Sequence, residues 1–400
     1  MKRFYLNYLI VAALALAAAL TSCKKDDDGD KDPAADSKNI LGARSVFVSG
    51  SDVYVAGTVL NTQGEHVARL WKNGTVQSLA VSGTKSAANS VFVSGGDVYV
   101  AGYEVNSQGK RAARLWKNGQ AATFSSGSDG PPAFTVNPPQ SGWNSVFVSG
   151  GNVYYAGYNI NDKGQYSAQL YRNGEAATFG SGSDGPPTFV INPPQSAWNS
   201  VCVYGANVYY AGYEINSNGE YSARLYKNGQ AATFDTGSDG PNFTINTRDT
   251  QSAWNSVFVY GSDVYYAGYE INDKGEYSAR LFKNGQAATF SDGSGPGFVI
   301  NTRTPNTHYS WNSVFVAAGG DVYSAGYERN DKGIYRGRLF KNGQAATFGA
   351  YITTDGKTHT SYNSVYVSAG DVYVAGYERD EKGKYSAKLW KNGVSQNLAQ

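Results

Sequence analysis

The chain has 400 residues, with 34 lysines and arginines against 32 aspartates and glutamates, three histidines and two cysteines, Cys23 and Cys202. This balance contains no basic block, so it lacks the electrostatic footprint of nucleic-acid binding and no nucleic-acid partner is expected. Thirty-one tyrosines and 48 glycines point instead to a chain rich in turns and packed rings.

The first 22 residues read as a secretory leader: Lys2 and Arg3, an apolar stretch from Leu9 to Leu20, then "LTSC" at 20–23. The apolar stretch is short for a membrane span of about 20 residues. "LTSC" resembles the bacterial lipobox. That resemblance implies cleavage before Cys23, acylation of its thiol (a palmitate-type lipid) and attachment to a membrane through that lipid. Loss of Lys2 and Arg3 leaves 32 cations against 32 carboxylates. With Cys23 committed to lipid, Cys202 has no disulfide partner and is expected to be a buried structural thiol.

Residues 23–38 form a charged tether, "KKDDDGDKDPAADSK" after Cys23, too polar to fold. Its lysine-aspartate cluster resembles the export signal of surface lipoproteins in some Gram-negative bacteria, which implies the outer membrane and the cell surface. "DDDGD" lacks the alternating ligands and closing glutamate of a calcium loop.

From residue 39 to 400 the chain repeats itself. "SVFVSG" begins at Ser45, and equivalents begin at Ser90, Ser145, Ser200, Ser256, Ser313 and Ser364. Within residues 90–124, "SVFV", "DVYVAGYEV", "RAARLWK" and "QAATF" each read as a strand. Asn118-Gly119 between the last two is a strong type I′ hairpin signal. Four antiparallel strands, repeated seven times, predict an all-β fold: a seven-bladed β-propeller of four-stranded antiparallel blades. Strands two and three are apolar on both faces, as a sheet packed between two sheets must be. Val98, Val100 and Leu115 are assigned to one face, Tyr99, Tyr103 and Trp116 to the other. Each blade is expected from continuous chain, although "NILG" at 39–42 could add to the last one. A closed monomer is expected.

Residue types present in every blade are structural by default, because an active site needs one constellation and not seven. Glu104, Glu214, Glu270, Glu328 and Glu378 are therefore read as cross-strand partners of groups opening the next strand, such as Arg111 or Tyr221, rather than as acid-base pairs. Asp52, Asp97, Asn152, Asn207, Asp263, Asp321 and Asp371 fit turn chemistry. Arg69, Arg114, Arg224, Arg280, Arg338 and Lys388 are expected to stack on tyrosines.

What varies is the link from the fourth strand of one blade to the first of the next. It is long after blades two to six, and its last residues should rim the central channel. There stand Trp143, Trp198, Trp254, Trp311 and Tyr362, followed by Asn144, Asn199, Asn255, Asn312 and Asn363. Three positions earlier come Gln140, Gln195, Gln251, His308 and His359. Blades one and two have Ala43 and Ala88 in place of the aromatic residue.

Aromatic plates beside amides suit sugar rings, an arrangement similar in kind to propeller lectins, whose repeated modest sites gain avidity. The alternative is that these rings plug the gaps between blades. The function expected is a non-catalytic, surface-exposed binding module for a glycan or other extracellular ligand on this looped face. A protein-interaction scaffold is the second reading and a glycan hydrolase or lyase the third. No catalytic residue, metal site or cofactor is assigned, since His308 and His359 lack a carboxylate partner.

Overall fold

A computed structural model describes residues 41–81, 85–122, 140–177, 195–215, 219–232, 251–271, 275–288, 308–346 and 358–399. Cys23, the tether and the long inter-blade links lie outside the described residues. Leu41–Gln400 forms one compact unit. Among the described residues there is no helix, and 28 strands make seven sheets of four, each in sequence order. The chain is a seven-bladed β-propeller of four-stranded antiparallel blades.

Blade four shows the local logic. Its strands are Gln195–Tyr204, Asn207–Ile215, Tyr221–Lys227 and Gln230–Ala231. Asn228 and Gly229 close the last hairpin with φ of 49° and 83°, the two left-handed positions that a type I′ turn requires. The Asn228 side chain does more than turn. Its Oδ1 accepts the Val208 N–H at 2.8 Å and its Nδ2 donates to Asn207 Oδ1 at 2.9 Å. In blade seven the second contact goes to Asp371, which Lys391 also holds at 2.7 Å. The recurring turn carboxylates are thus consumed by the hairpin.

The first strand carries a bulge in every blade, between Trp198 and Ser200 in blade four. The extra residue swings the Ala197 carbonyl toward Gly212, where a β-carbon would run into that oxygen. The glycine of each "AG" pair answers this bulge.

The predicted division of faces needs correction. Val100 pairs with Trp116, and Ala101 with Leu115. Trp116 therefore shares a face with Val100 and packs on blade one, while Leu115 joins Tyr99 and packs on blade three. Directly opposed residues point the same way, so the pairing register, and not the ring type, sets the face.

Adjacent blades are tied near the axis by one repeated bond. The first-strand serine of each blade accepts the N–H of the first-strand valine of the next. Ser45 accepts from Val91 at 3.1 Å, Ser145 from Val201 at 3.1 Å and Ser313 from Val365 at 3.2 Å. The seventh bond, Val46 N–H to Ser364 Oγ at 3.2 Å, closes the ring. Two residues further along each first strand, Phe47, Phe92, Phe147, Phe258, Phe315 and Tyr366 touch in sequence with centroids 4.5–4.9 Å apart, except where Cys202 replaces a ring. Cys202 is buried as expected, and burial pushes its thiol up to about 12.

No strand is shared between the ends. Blade seven is built wholly from His359–Ser368, Asp371–Arg379, Tyr385–Lys391 and Val394–Asn397, and Gly42–Ser49 is already the first strand of blade one. The C-terminal tail instead caps the seam. Leu398 is buried with Trp71, Val59 and Leu389, and Trp71 Nε1 donates to the Ala399 carbonyl at 2.7 Å.

Candidate functional site

The starts of strands one and three and the end of strand two meet at one end of each blade, toward the inter-blade links. Trp143, Trp198, Trp254, Trp311 and Tyr362 do not stand as plates there. The tryptophans are 1–3% exposed and Tyr362 6%. Trp143 packs among Tyr99, Ala101 and Leu115 of blade two, edge-on to Tyr155 of its own blade at 4.9 Å. An indole enclosed this way offers no face to a sugar ring.

Packing also explains why blades one and two lack the ring. Where the first strand has Ala43 or Ala88, the third has Trp71 or Trp116, each 0% exposed. Where the first strand has Trp198 or Trp254, the third has Tyr226 or Phe282, in contact at 5.2 and 5.4 Å. Blade seven pairs Tyr362 with Trp390 at 4.9 Å. One large ring and one smaller partner fill each gap, and the indole changes strands.

The asparagines after these rings are inter-blade clamps. Each Nδ2 donates to the carbonyl of the residue before the next blade's clamp position: Asn144 to Trp198 at 2.9 Å, Asn199 to Trp254 at 3.0 Å, Asn255 to Trp311 at 2.9 Å and Asn312 to Tyr362 at 2.9 Å. Asn89 and Asn363 do the same to Trp143 and Ala43, both at 2.8 Å. Blade one has Arg44 in this column. The guanidinium is half-buried, burial pushes it below its usual value, and the phenols of Tyr103, Tyr377 and Tyr158 act on its charge. A blade-one side chain that feels blades two, three and seven must lie near the axis.

The recurring carboxylates also find partners other than those expected. Glu104, Glu214 and Glu270 pair with Arg114, Arg224 and Arg280 at 3.0, 2.7 and 2.7 Å, and Glu328 and Glu378 pair with Arg338 and Lys388. Glu104 opposes Ala112, so it shares a face with Arg114 and not with Arg111. Arg111 lies over the Tyr103 ring at 4.8 Å instead. The cations stacked on tyrosines are mainly the lysines that end strand three, such as Lys117 over Tyr99 at 5.6 Å.

The residues left on the rim form one cross-strand row per blade. In blades three to five it reads Gln140–Ile160–Tyr166, Gln195–Ile215–Tyr221 and Gln251–Ile271–Tyr277. In blades six and seven it reads His308–Arg329–Tyr335 and His359–Arg379–Tyr385. Blade two has Lys85–Val105–Arg111, and blade one Leu60–His66. Gln140 is exposed, while Gln195, Gln251, His308 and His359 are half-buried. Several lean on the preceding blade. Gln195 Oε1 accepts the Tyr166 N–H at 3.4 Å, His308 packs on the Tyr277 ring at 5.1 Å, and His359 Nδ1 accepts the Tyr335 N–H at 3.4 Å.

The five amides and imidazoles singled out from sequence, Gln140, Gln195, Gln251, His308 and His359, thus belong to the rim rows, whereas the aromatic rings and asparagines belong to the gaps. Arg44, Arg329 and Arg379 were missed. Aligning the repeats by strand register would have exposed them as departures from asparagine and isoleucine columns. Among the described residues no group of three metal-ligating side chains forms.

No family model matches the chain, and no curated protein matches it. Solved structures do. The β-propeller domain of the Trilobed protease from Pyrococcus furiosus is 10% identical at a TM-score of 0.47, over 90% of this chain and 98% of that one. The Pyrococcus horikoshii acylaminoacyl peptidase is 9% identical at 0.47, over 90% of this chain. Trypanosoma rangeli sialidase is 11% identical at 0.38, over 87% of this chain and 59% of that one. The chain spans about half the length of the acylaminoacyl peptidase.

Proposed function

We propose that the chain is a non-catalytic binding module, anchored in the outer membrane through lipid on Cys23, that presents the rim of its propeller to a glycan at the cell surface. The observation that carries this reading is where repetition fails. Gap-filling rings, clamps, bulge glycines and ion pairs recur around the ring or compensate one another, as packing demands. The rim rows answer to packing only in part: Ile160 and Ile215 are buried with Tyr158 and Tyr213, yet from blade to blade the rows change in hydrogen-bonding and charged residues.

Half-buried tyrosines in those rows, Tyr166, Tyr221, Tyr277, Tyr335 and Tyr385, supply rings beside polar groups. They take the part first given to the buried tryptophans. The recurring carboxylates are held by arginine or lysine, which leaves them poorly suited to acid-base work. A glycan array probed with full-length protein, beside a variant with Gln140, Gln195, Gln251, His308 and His359 changed to alanine, tests the reading. Binding by the parent that weakens in a variant of unchanged melting temperature supports it. Turnover of a bound glycan would replace it with the hydrolase reading.

A protein partner is the second reading. It is favoured by Tyr204 and Tyr260, 50% and 37% exposed at the far ends of the first strands of adjacent blades.

A further inference from the structure

The cations on the rim are not scattered. Going around the ring, blades six, seven, one and two are contiguous, because blade seven closes on blade one. The rim rows and the hairpins they flank (residues 60–66, 105–111, 329–335 and 379–385, with Lys85) hold eight lysines and arginines against four carboxylates. The described residues of the same stretches in blades three to five (160–166, 215, 219–221, 271 and 275–277) hold one against three. The face is therefore split into a basic arc and a weakly acidic one, on a mature protein of zero net charge.

Position sharpens this. Arg329 and Arg379 occupy the column that holds isoleucine in blades three to five, so the packing of that column does not require charge. Arg329 lies over the Tyr335 ring at 5.8 Å and Arg379 over the Tyr385 ring at 5.7 Å. Arg379 Nη1 is 3.5 Å from His359 Nε2, and both arginines act on that imidazole. On the other side Lys85 and Arg111 flank His66 in the same way. Arg44 adds a cation near the axis, between the two groups. The acids in reach are Glu65, which takes the Asn61 amide at 3.1 Å, together with Asp331, Asp380 and Glu381 on the hairpin tips.

We propose that the arc from blade six to blade two binds an acidic polysaccharide, one bearing carboxylates or sulfates, through Arg329, Arg379, Lys85, Arg111 and Arg44. This inference rests on the glycan reading above and specifies its ligand class. Guanidinium groups recognise carboxylate and sulfate oxygens in bidentate fashion. The adjoining tyrosine rings offer apolar faces to the sugar carbons between the charges. Four blades of cations favour an extended chain over a single anion, since each contact is modest and the sum is large.

The test uses full-length protein and four probes: polygalacturonate, heparin, neutral dextran and a short DNA duplex, titrated at low and physiological salt. A variant reverting blades six and seven to the pattern of blades three to five (His308→Gln, Arg329→Ile, His359→Gln, Arg379→Ile) keeps residues the fold already accepts at those positions. Arg44→Asn reverts the axis. The expected result is binding of polygalacturonate or heparin that weakens with salt, falls at least tenfold in the fourfold variant and falls further with Arg44→Asn. Equal binding by parent and variants overturns the inference. Binding of dextran alone overturns it while leaving the glycan reading intact, and binding of none of the sugars removes both. DNA bound as tightly as heparin would replace the glycan with polyanions at large.

Discussion

The Val46 N–H donates to Ser364 Oγ across 3.2 Å, joining two residues 318 positions apart. It is the seventh copy of a bond that elsewhere links blades continuous in the chain. Here no covalent link crosses the gap, so the seam depends on this bond, on the Asn363 clamp to the Ala43 carbonyl at 2.8 Å and on the tail. Ser364→Ala should cost about 1 kcal/mol and Leu398→Ala about 2–4 kcal/mol. Hydrogen exchange should show the loss concentrated in blades one and seven. Exchange that rises evenly around the ring in Leu398→Ala would show that the tail is no special fastener.

The moving indole predicts compensation. Trp198→Ala should cost about 3–5 kcal/mol by leaving a cavity. Ala88→Trp alone should overpack and also destabilise, by about 1–3 kcal/mol. Ala88→Trp combined with Val100→Tyr and Trp116→Tyr copies the set that blade three carries as Trp143, Tyr155 and Tyr171. Urea unfolding should recover most of the lost stability in the combined variant. A triple variant no more stable than the sum of its parts would refute the exchange.

Gly212→Ala places a methyl group against the Ala197 carbonyl. The backbone of the bulge must then move, at a cost of about 1–3 kcal/mol. Gly219→Ala is the contrast, since nothing lies within 4 Å there but φ is +82°. Its cost should come from backbone strain alone and be the smaller by thermal melting.

His66 and His359 both lie below the usual imidazole range, first through burial and then through Lys85 with Arg111, and Arg379 with Arg329. As pH falls through about 6.5, the unfolded chain takes up these protons before the folded one. Stability of the free protein should therefore decline from pH 7.5 to 5.5. The decline should shrink in a His66→Gln, His359→Gln variant, read as the change in Tm with pH.

Much of this was legible in the sequence. Seven copies of "SVFV" or its variants "SVCV" and "SVYV", of "VYxAG" and of Asn-Gly mark the strands and the I′ turn, because those patterns depend only on alternation and on which residues tolerate positive φ. From them follow the blade, its count and the closed ring. The clamp role of the asparagines could not be read, because their acceptors sit in the next blade, 50–56 residues away and for Asn363 320 residues away. Nor could the burial of the tryptophans. A ring at the start of an inner strand can face the axis or the neighbouring blade, and the choice is made by the gap that Ala43, Ala88 and their third-strand partners reveal.

Charge illustrates the same division. Composition determines that the chain is close to neutral, with 34 lysines and arginines against 32 carboxylates, and sequence order determines which hairpin carries each lysine or arginine. Only closure of blade seven on blade one brings the two ends of the sequence together, so that cations from residues 44–111 and 329–384 become one arc. Repetition set the shape because each blade needs the same packing. The surface was decided by tertiary structure, because at the end of each blade packing holds the isoleucine and tyrosine of blades three to five but accepts Arg329 and Arg379 in the same column of blades six and seven.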